Sequence, residues 1–339
     1  MSKFKNQSWA LLALSIIAFA ACKKKEDTKV ETENFKGVYV INEGGFGKSN
    51  ASVGLYKPGS GDYFDAFKKA NGRPLGDVIQ SMTLIGNKYY IIVNNSNKIE
   101  VVNQADFKSV TTITVSQPRF IIAVSSTKAY ISQMGSSMSV LDLNSNSITK
   151  TITVHGPTEN MTVMHDTLYV GKACGDKIYR ISIASDALVD SLTVGGGVSS
   201  IVSVSADRIA FLCTGFPSVE NGKIAFINRD SFKLERFIPM TAGSYSGIMV
   251  YSGSLLYYNM GDAKVNSLSP SALALPTSAL ISITGSVYGF SVEPSSGNIY
   301  VTDAGDFTNP GKVLIYNSAG TFQKQFTAGI APSKIIFNN

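Results

Sequence analysis

Few residues in this chain of 339 carry chemistry by type alone. There are two histidines, His155 and His165, and no H-E-x-x-H, G-x-S-x-G, phosphate-loop or EF-hand pattern occurs anywhere. Oxygen ligands are more numerous. Glu43, Glu159, Asp176, Asp262, Asp303 and Asp306 all fall in short polar segments rich in Gly and Asn. Gathered around one point they would suit Ca²⁺; dispersed, they are solvated or cap turns. The commonest pairing is amide with aromatic. Asn42, Asn94, Gln133, Asn160 and Asn259 are interspersed with Phe46, Phe120, Phe216, Tyr245, Tyr288 and Phe307, accompanied by Arg119, Glu159, Lys172 and Asp303. Amides supply directional hydrogen bonds and rings supply flat contact area. The combination suits non-covalent capture of a large polar molecule with flat apolar parts, such as a corrinoid, a glycan or a peptide. Asn and Gly at such places equally serve tight turns that need a left-handed backbone.

These residues matter only if the fold gathers them, and the elements between them are short and repeated. Residues 116–154 set the pattern: a turn with Pro118, an apolar run from Phe120 to Val124, a polar turn, a second run from Ala129 to Ser132, a Gly/Ser loop, a third run ending Val140-Leu141-Asp142-Leu143, an Asn/Ser turn and a last strand from Ile148 to Val154. Variants of it occupy residues 37–67, 81–115, 157–194, 198–240, 245–283 and 287–326. A self-similar period of about 40 residues built of short strands is the signature of propeller blades, and no window shows the helical period of a long amphipathic helix. Second and third strands such as Tyr89 to Val93 and Lys223 to Ile227 are nearly continuously apolar, as expected when both faces of a sheet are covered. The first repeat lacks its opening strand. Residues 331–337 parallel Gln117 to Ile122 and supply it. The expected fold is all-β, a seven-bladed β-propeller closed by the C-terminal strand pairing with the N-terminal blade. The repeat 245–283 is the most degenerate, so rings of six or eight blades are the alternatives.

In a propeller, the loops joining strand two to strand three and those joining one blade to the next lie on one face, around the mouth of a central channel. The first kind carries Asn42, Phe46, Asn94, Gln133, Lys172, Phe216, Asn259, Asp303 and Phe307. The second carries Arg119, Phe120, Glu159, Asn160, Tyr245 and Tyr288, together with Asp77, Gln80, Ser199, Ser246 and Lys334. The first fifteen of these are the predicted ligand-binding set, with no catalytic residue and no metal ligand assigned. His155 falls in a blade junction and His165 in a turn between first and second strands, at the opposite face, so the two do not meet. The lone Trp9 precedes the repeats, which removes the periodic Trp of quinoprotein propellers and the WD dipeptide of WD40 blades.

Composition agrees with a folded body. Hydrophobic residues make up 44% and charged residues 16%, enough for a large core and too apolar for disorder. The formal charge of +6 includes Lys3, Lys5, Lys23, Lys24 and Lys25, all before the repeats, and elsewhere Lys and Arg are scattered. No basic stripe interleaves with aromatics, so nucleic acid is not an expected partner. Cys174 and Cys213 fall near the ends of second strands in neighbouring repeats and are read as two small thiols rather than a bridge.

The N-terminus reads as an address. Lys3 and Lys5 precede an apolar run from Trp9 to Ala21, too short to span a membrane comfortably and of signal-peptide form. Phe19-Ala20-Ala21-Cys22 resembles a bacterial lipobox, departing from it only in Phe19 where Leu is usual. The predicted organisation is a lipoprotein signal peptide over residues 1–21, a lipidated Cys22 heading a charged tether over 22–36, and the propeller over 37–339. Cys22 followed by Lys and then Glu26-Asp27 resembles the export signal that carries lipoproteins of Bacteroidetes-type bacteria to the outer face of the outer membrane. Cell-surface display is therefore expected, with a periplasm-facing anchor as the alternative.

Two resemblances go further. Repeats such as MSVLDLNSNSITKTITV, followed by P-x-x-I/M, resemble the YncE-like seven-bladed propellers over residues 37–339. The opening GVYVINEGGFGKSNASVGLY, directly after a lipoprotein leader, resembles the YncE-like surface lipoproteins of Bacteroidetes of the DUF5074 type. That resemblance implies an outer-membrane-anchored, non-catalytic protein that captures a large nutrient, with cobalamin the leading candidate, for a TonB-dependent transporter. A propeller hydrolase or lyase with Ca²⁺ in the channel, and a structural or adhesive surface protein, are the competing expectations.

Overall fold

Alternation along the second strands organises the molecule. Lys88–Val93 is β-branched and aromatic almost throughout, the composition that favours a pleated, covered strand. Successive side chains point to opposite faces, so Tyr89 and Ile91 enter one hydrophobic core while Tyr90 and Ile92 enter the next. Tyr169 and Val170 divide in the same way, as do Tyr257 and Tyr258. A sheet buried on both faces needs a neighbour on each side. The computed structural model, which describes residues 34–338, meets that need with a closed ring. The leader, Cys22 and most of the tether lie outside the described residues.

Among the described residues there are seven four-stranded antiparallel sheets, and the architecture is a seven-bladed β-propeller. In the third blade the strands Pro118–Ala123, Lys128–Gln133, Ser137–Asp142 and Ser147–Thr153 run from the channel outward. Seven hydrophobic cores fill the seams between adjacent blades, each fed by both. The sixth blade has the shortest outer strand, Ile281–Ser282, in keeping with its degenerate repeat.

Closure is as the repeat comparison requires. Pro332–Asn338 pairs antiparallel with Gly37–Asn42 and forms the innermost strand of the first blade. No sheet edge is left open at the junction of the chain ends. The body begins slightly before Gly37. Phe35 is buried, stacks on Phe107 at 5.9 Å, and its carbonyl accepts from Tyr39 Oη at 2.7 Å and Asn338 Nδ2 at 3.0 Å.

Among the described residues two elements depart from strand and turn, a single 3₁₀ turn at Asn94–Ser96 and one α-helix. A short helix, Ala66–Asn71, joins the first blade to the second. Six residues do not hold a helix by propensity; its ends and its buried face do. Asp65 caps the N-terminus by accepting from Lys68 N at 3.0 Å, and Gly72 ends the helix in the left-handed conformation. Ala66 and Phe67 pack into the seam between the first two blades. Just beyond, Arg73 reaches the fully buried carboxylate of Glu100, which also accepts from Lys98 and Ser109. Burial opposes ionisation of Glu100, but those three donors together outweigh it and hold its carboxyl below the usual range.

Candidate functional site

Six of the side chains that reach the channel are put there by bulges. In five blades the innermost strand opens with a break in its ladder, so that a residue is passed over. Ile79 pairs with Val93 and Ser81 with Ile92, leaving Gln80 out. The same break leaves out Arg119, then Glu159 and Asn160, then Ser199, and in the closing strand Ser333. A bulged residue is unpaired and its side chain is re-aimed. All of these line one central cavity of about 660 Å³ at the face bearing the blade-to-blade loops. The sixth and seventh blades have no such break and contribute Ser246, Gly247 and Tyr288 from just before their first strands.

Arg119 is the hub of the charged side. Its Nε donates to Glu159 Oε1 at 2.9 Å, Nη2 donates to the same oxygen, and Nη1 donates to Gln80 Oε1 at 2.6 Å. Equivalent positions of three successive blades thus share one network. Lys334 Nζ donates to Gln80 O at 2.8 Å and stands 5.2 Å from the Phe120 ring centroid. Lys334 keeps part of its surface open to the channel, but protein surrounds it. That desolvation pushes its ammonium below the ordinary lysine value, and Arg119 adds to the shift while Glu43 and Glu159 oppose it. Tyr288 Oη donates to Glu43 Oε2 at 2.7 Å. Burial, reinforced by the Glu43 carboxylate, pushes this phenol well above its ordinary value and keeps it a donor.

The opposite side of the cavity is hydroxyl and aromatic. Ser199, Thr214, Ser244 and Ser246 alternate there with Phe216, Tyr245, Phe290 and Phe307. Tyr288 and Phe307 meet edge to face at 4.9 Å. At the rim Tyr245 exposes 87% of its surface and Phe307 49%. The site is therefore two-sided, with the charged network on one part of the wall and hydroxyls and rings on the other.

Nine of the fifteen predicted residues line this cavity: Arg119, Phe120, Glu159, Asn160, Phe216, Tyr245, Asn259, Tyr288 and Phe307. Two of the nine have their amides engaged. Asn160 Nδ2 donates to Ser199 O at 2.5 Å, and Asn259 Nδ2 donates to Asp262 and Lys264 inside its own loop. Six lie elsewhere. Asn42 is fully buried, donates to Tyr63 Oη at 2.9 Å and accepts from Gly329 N at 2.9 Å, tying the first blade to the last. Asn94 Nδ2 donates to Pro118 O at 2.9 Å across the junction of the second and third blades. Gln133 Nε2 donates to Ser116 O at 2.8 Å, and its Oε1 accepts from Ser139 Oγ at 2.7 Å. These amides sit at or just after the ends of second strands, where buried backbone groups need partners, and they supply them. Lys172 packs its stem so closely over Gly175 that a Cβ there would come within 2.4 Å of its Cδ. Phe46 projects into solvent, and Asp303 borders a separate cavity of about 210 Å³ with Lys312.

The fifteen leave out Glu43, Gln80, Ser199, Ser246, Ser333 and Lys334, all of which line the cavity. A signal for some of them stands in the sequence: Gln80, Arg119 and Glu159 follow one another at 39 and 40 residues, the blade period itself. The loop carboxylates do not converge, and among the described residues no three His, Cys, Asp or Glu side chains gather as a metal group. Asp262 and Asp306 cap their own loops instead. His165 meets Arg229 Nη1 at 2.6 Å in a first-to-second-strand turn, away from the cavity. Cys174 and Cys213 are both free thiols. The first is exposed at the cavity wall, and the second is pushed up to about 12 by burial.

Comparison with known proteins places the fold and the family. A Bacteroides thetaiotaomicron protein described as quinonprotein alcohol dehydrogenase-like is 16% identical, with a TM-score of 0.69 over 91% of this chain and 79% of its own. Hydrazine synthase of Kuenenia stuttgartiensis is 15% identical, with a TM-score of 0.61 over 75% of this chain and 88% of its own. Dihydro-heme d1 dehydrogenase in complex with DHE is 10% identical, with a TM-score of 0.63 over 91% of this chain and 76% of its own. At these identities the likeness is one of fold. Among curated proteins none matches the chain in sequence. The profile of DUF5074, a domain of unknown function, matches residues 36–328, and the chain therefore belongs to that family.

Proposed function

We propose that this protein is a non-catalytic capture protein, held at the outer membrane through a lipidated Cys22, that seats a large ligand on its loop face and passes it to a TonB-dependent transporter. The observation that carries the reading is the two-sided cavity at the channel mouth. Its volume of about 660 Å³ lies in the range of small-molecule sites. Its walls offer hydrogen-bonding groups on one side and ring faces on the other. The exposed rings of Tyr245 and Phe307 extend the apolar arc beyond the cavity, so a ligand larger than the cavity is accommodated across the mouth. Cobalamin fits that description, with its flat macrocycle on the rings and an amide-bearing edge lowered toward Arg119 and Gln80. A purely adhesive surface protein calls for no such cavity. The anchor rests on the leader sequence and its lipobox-like end, and the transporter on the resemblance to surface lipoproteins.

Calorimetry of the full chain with cyanocobalamin tests the ligand. A saturable heat and a pigmented protein peak on gel filtration support it. No heat and no retained pigment sink cobalamin. Mass spectrometry of the mature N-terminus tests the anchor, for which a diacylglycerol thioether on Cys22 is the expected finding.

A further inference from the structure

The geometry points to Lys334 as the anchor for an anionic group, a carboxylate or a phosphate, on the ligand that occupies the central cavity. This rests on reading the cavity as a capture site.

An ammonium has three donors and no acceptor. Lys334 spends one on Gln80 O and lies beside the Phe120 ring, and among the described residues it makes no ion pair. The other charges around it are engaged. Glu159 is held by Arg119, which is also bound to Gln80, and Glu43 is held by Tyr288. Ser333, immediately before Lys334 and set in the bulge, lines the same cavity, and its buried Oγ has no partner. An ammonium with donors to spare and an unpartnered hydroxyl, which can donate, therefore share this stretch of the wall. Lys334 is largely desolvated, and Glu43 and Glu159 attract it without forming an ion pair, so a ligand anion in direct contact recovers part of the desolvation cost. An incoming cation is repelled by Lys334 and Arg119, and each carboxylate already accepts at one oxygen, Glu159 from Arg119 and Glu43 from Tyr288.

The test uses flat-ring probes of one shape that differ in their head group: benzoate, benzamide and benzyltrimethylammonium. The full chain is reductively methylated with each probe at graded concentrations, and modification is read at every lysine by peptide mass spectrometry. Benzoate is expected to protect Lys334 selectively, at a concentration about tenfold lower than benzamide requires, as hydrogen bonds to charged groups exceed neutral ones. In Lys334→Met, calorimetry is expected to find benzoate binding reduced to the level of benzamide, with Lys334→Arg restoring the difference. Should Lys334→Met fail to fold, the protection series on the unaltered chain decides alone. Equal protection by benzoate and benzamide, better protection by the cationic probe, or no protection by any of them overturns the anchor. Cobalamin calorimetry separates the two claims. Heat with cobalamin alongside any of those outcomes leaves the capture reading standing, and silence in both experiments removes both.

Discussion

Replacing Arg119 and Glu159 singly and together probes the network that builds the charged side of the cavity. Arg119 holds one Glu159 oxygen through two nitrogens, and the side chains are 20% and 16% exposed, so the pair is neither dry nor fully screened. At an effective dielectric of ~20, unit charges ~4 Å apart attract by ~4 kcal/mol. Desolvation of both groups returns a large part of that, and a coupling of about 1–3 kcal/mol is expected for a charge-assisted pair. Arg119→Met strands Glu159 and Gln80 together and should cost about 2–3 kcal/mol. Glu159→Gln keeps an acceptor oxygen and should cost about 1 kcal/mol. Urea unfolding of the four proteins at neutral pH gives the coupling directly. Most of it should survive ~1 M salt, because screening acts weakly on partly buried pairs. A double variant whose loss equals the sum of the singles within ~0.5 kcal/mol refutes the reasoning, since non-interacting sites behave that way.

Further expectations follow from other parts of the ring. Deleting residues 332–339 removes the strand paired with Gly37–Asn42 and the buried Ile335; the truncated chain should lose its cooperative melt and bind a hydrophobic dye, and an unchanged melt would contradict closure. Glu100 is depressed in the folded state, so its stabilisation is complete above the ordinary carboxylate value of about 4.3 and drains away as pH falls through its folded value. Glu100→Gln should therefore melt below the unaltered protein at neutral pH, with the gap narrowing in acid. For Lys334 the sign is opposite: a base depressed by folding weakens the fold while charged, and the penalty disappears above about 10.4. Lys334→Met should melt higher at neutral pH and lose that advantage in strong alkali. A maleimide should label Cys174 in the native protein and Cys213 only after denaturation, with an occupant of the cavity slowing the first.

The ring was legible because a blade is a local pattern. Four short runs and their turns recur in sequence, and the likeness of residues 331–337 to Gln117–Ile122 exposes the closing strand without any long-range information. The site was legible only by loop. Asn42 and Gln133 sit in the right loops, but a second strand ends where blade junctions leave backbone groups to be satisfied, and the amides turn inward to do so. Gln80 and Ser333 reach the channel because of ladder breaks, which depend on register between strands and leave no residue type as a mark. The helix Ala66–Asn71 escaped for a similar reason: too short to show a period, it is held by Asp65, Gly72 and the seam it plugs.

The bulges have a consequence for how such a protein diversifies. A residue in a strand ladder is tied to its partner strand and to a seam, so exchanging it disturbs the ring. Gln80, Arg119, Glu159, Asn160, Ser199 and Ser333 are passed over by the ladder and look into the cavity. They form a set of sockets, spread over five blades, coupled to one another through Arg119 and Asn160 but outside the ladders and seams that hold the ring. A relative could acquire a new specificity by rewriting these few letters while every seam stays as it is, and a designer could do the same.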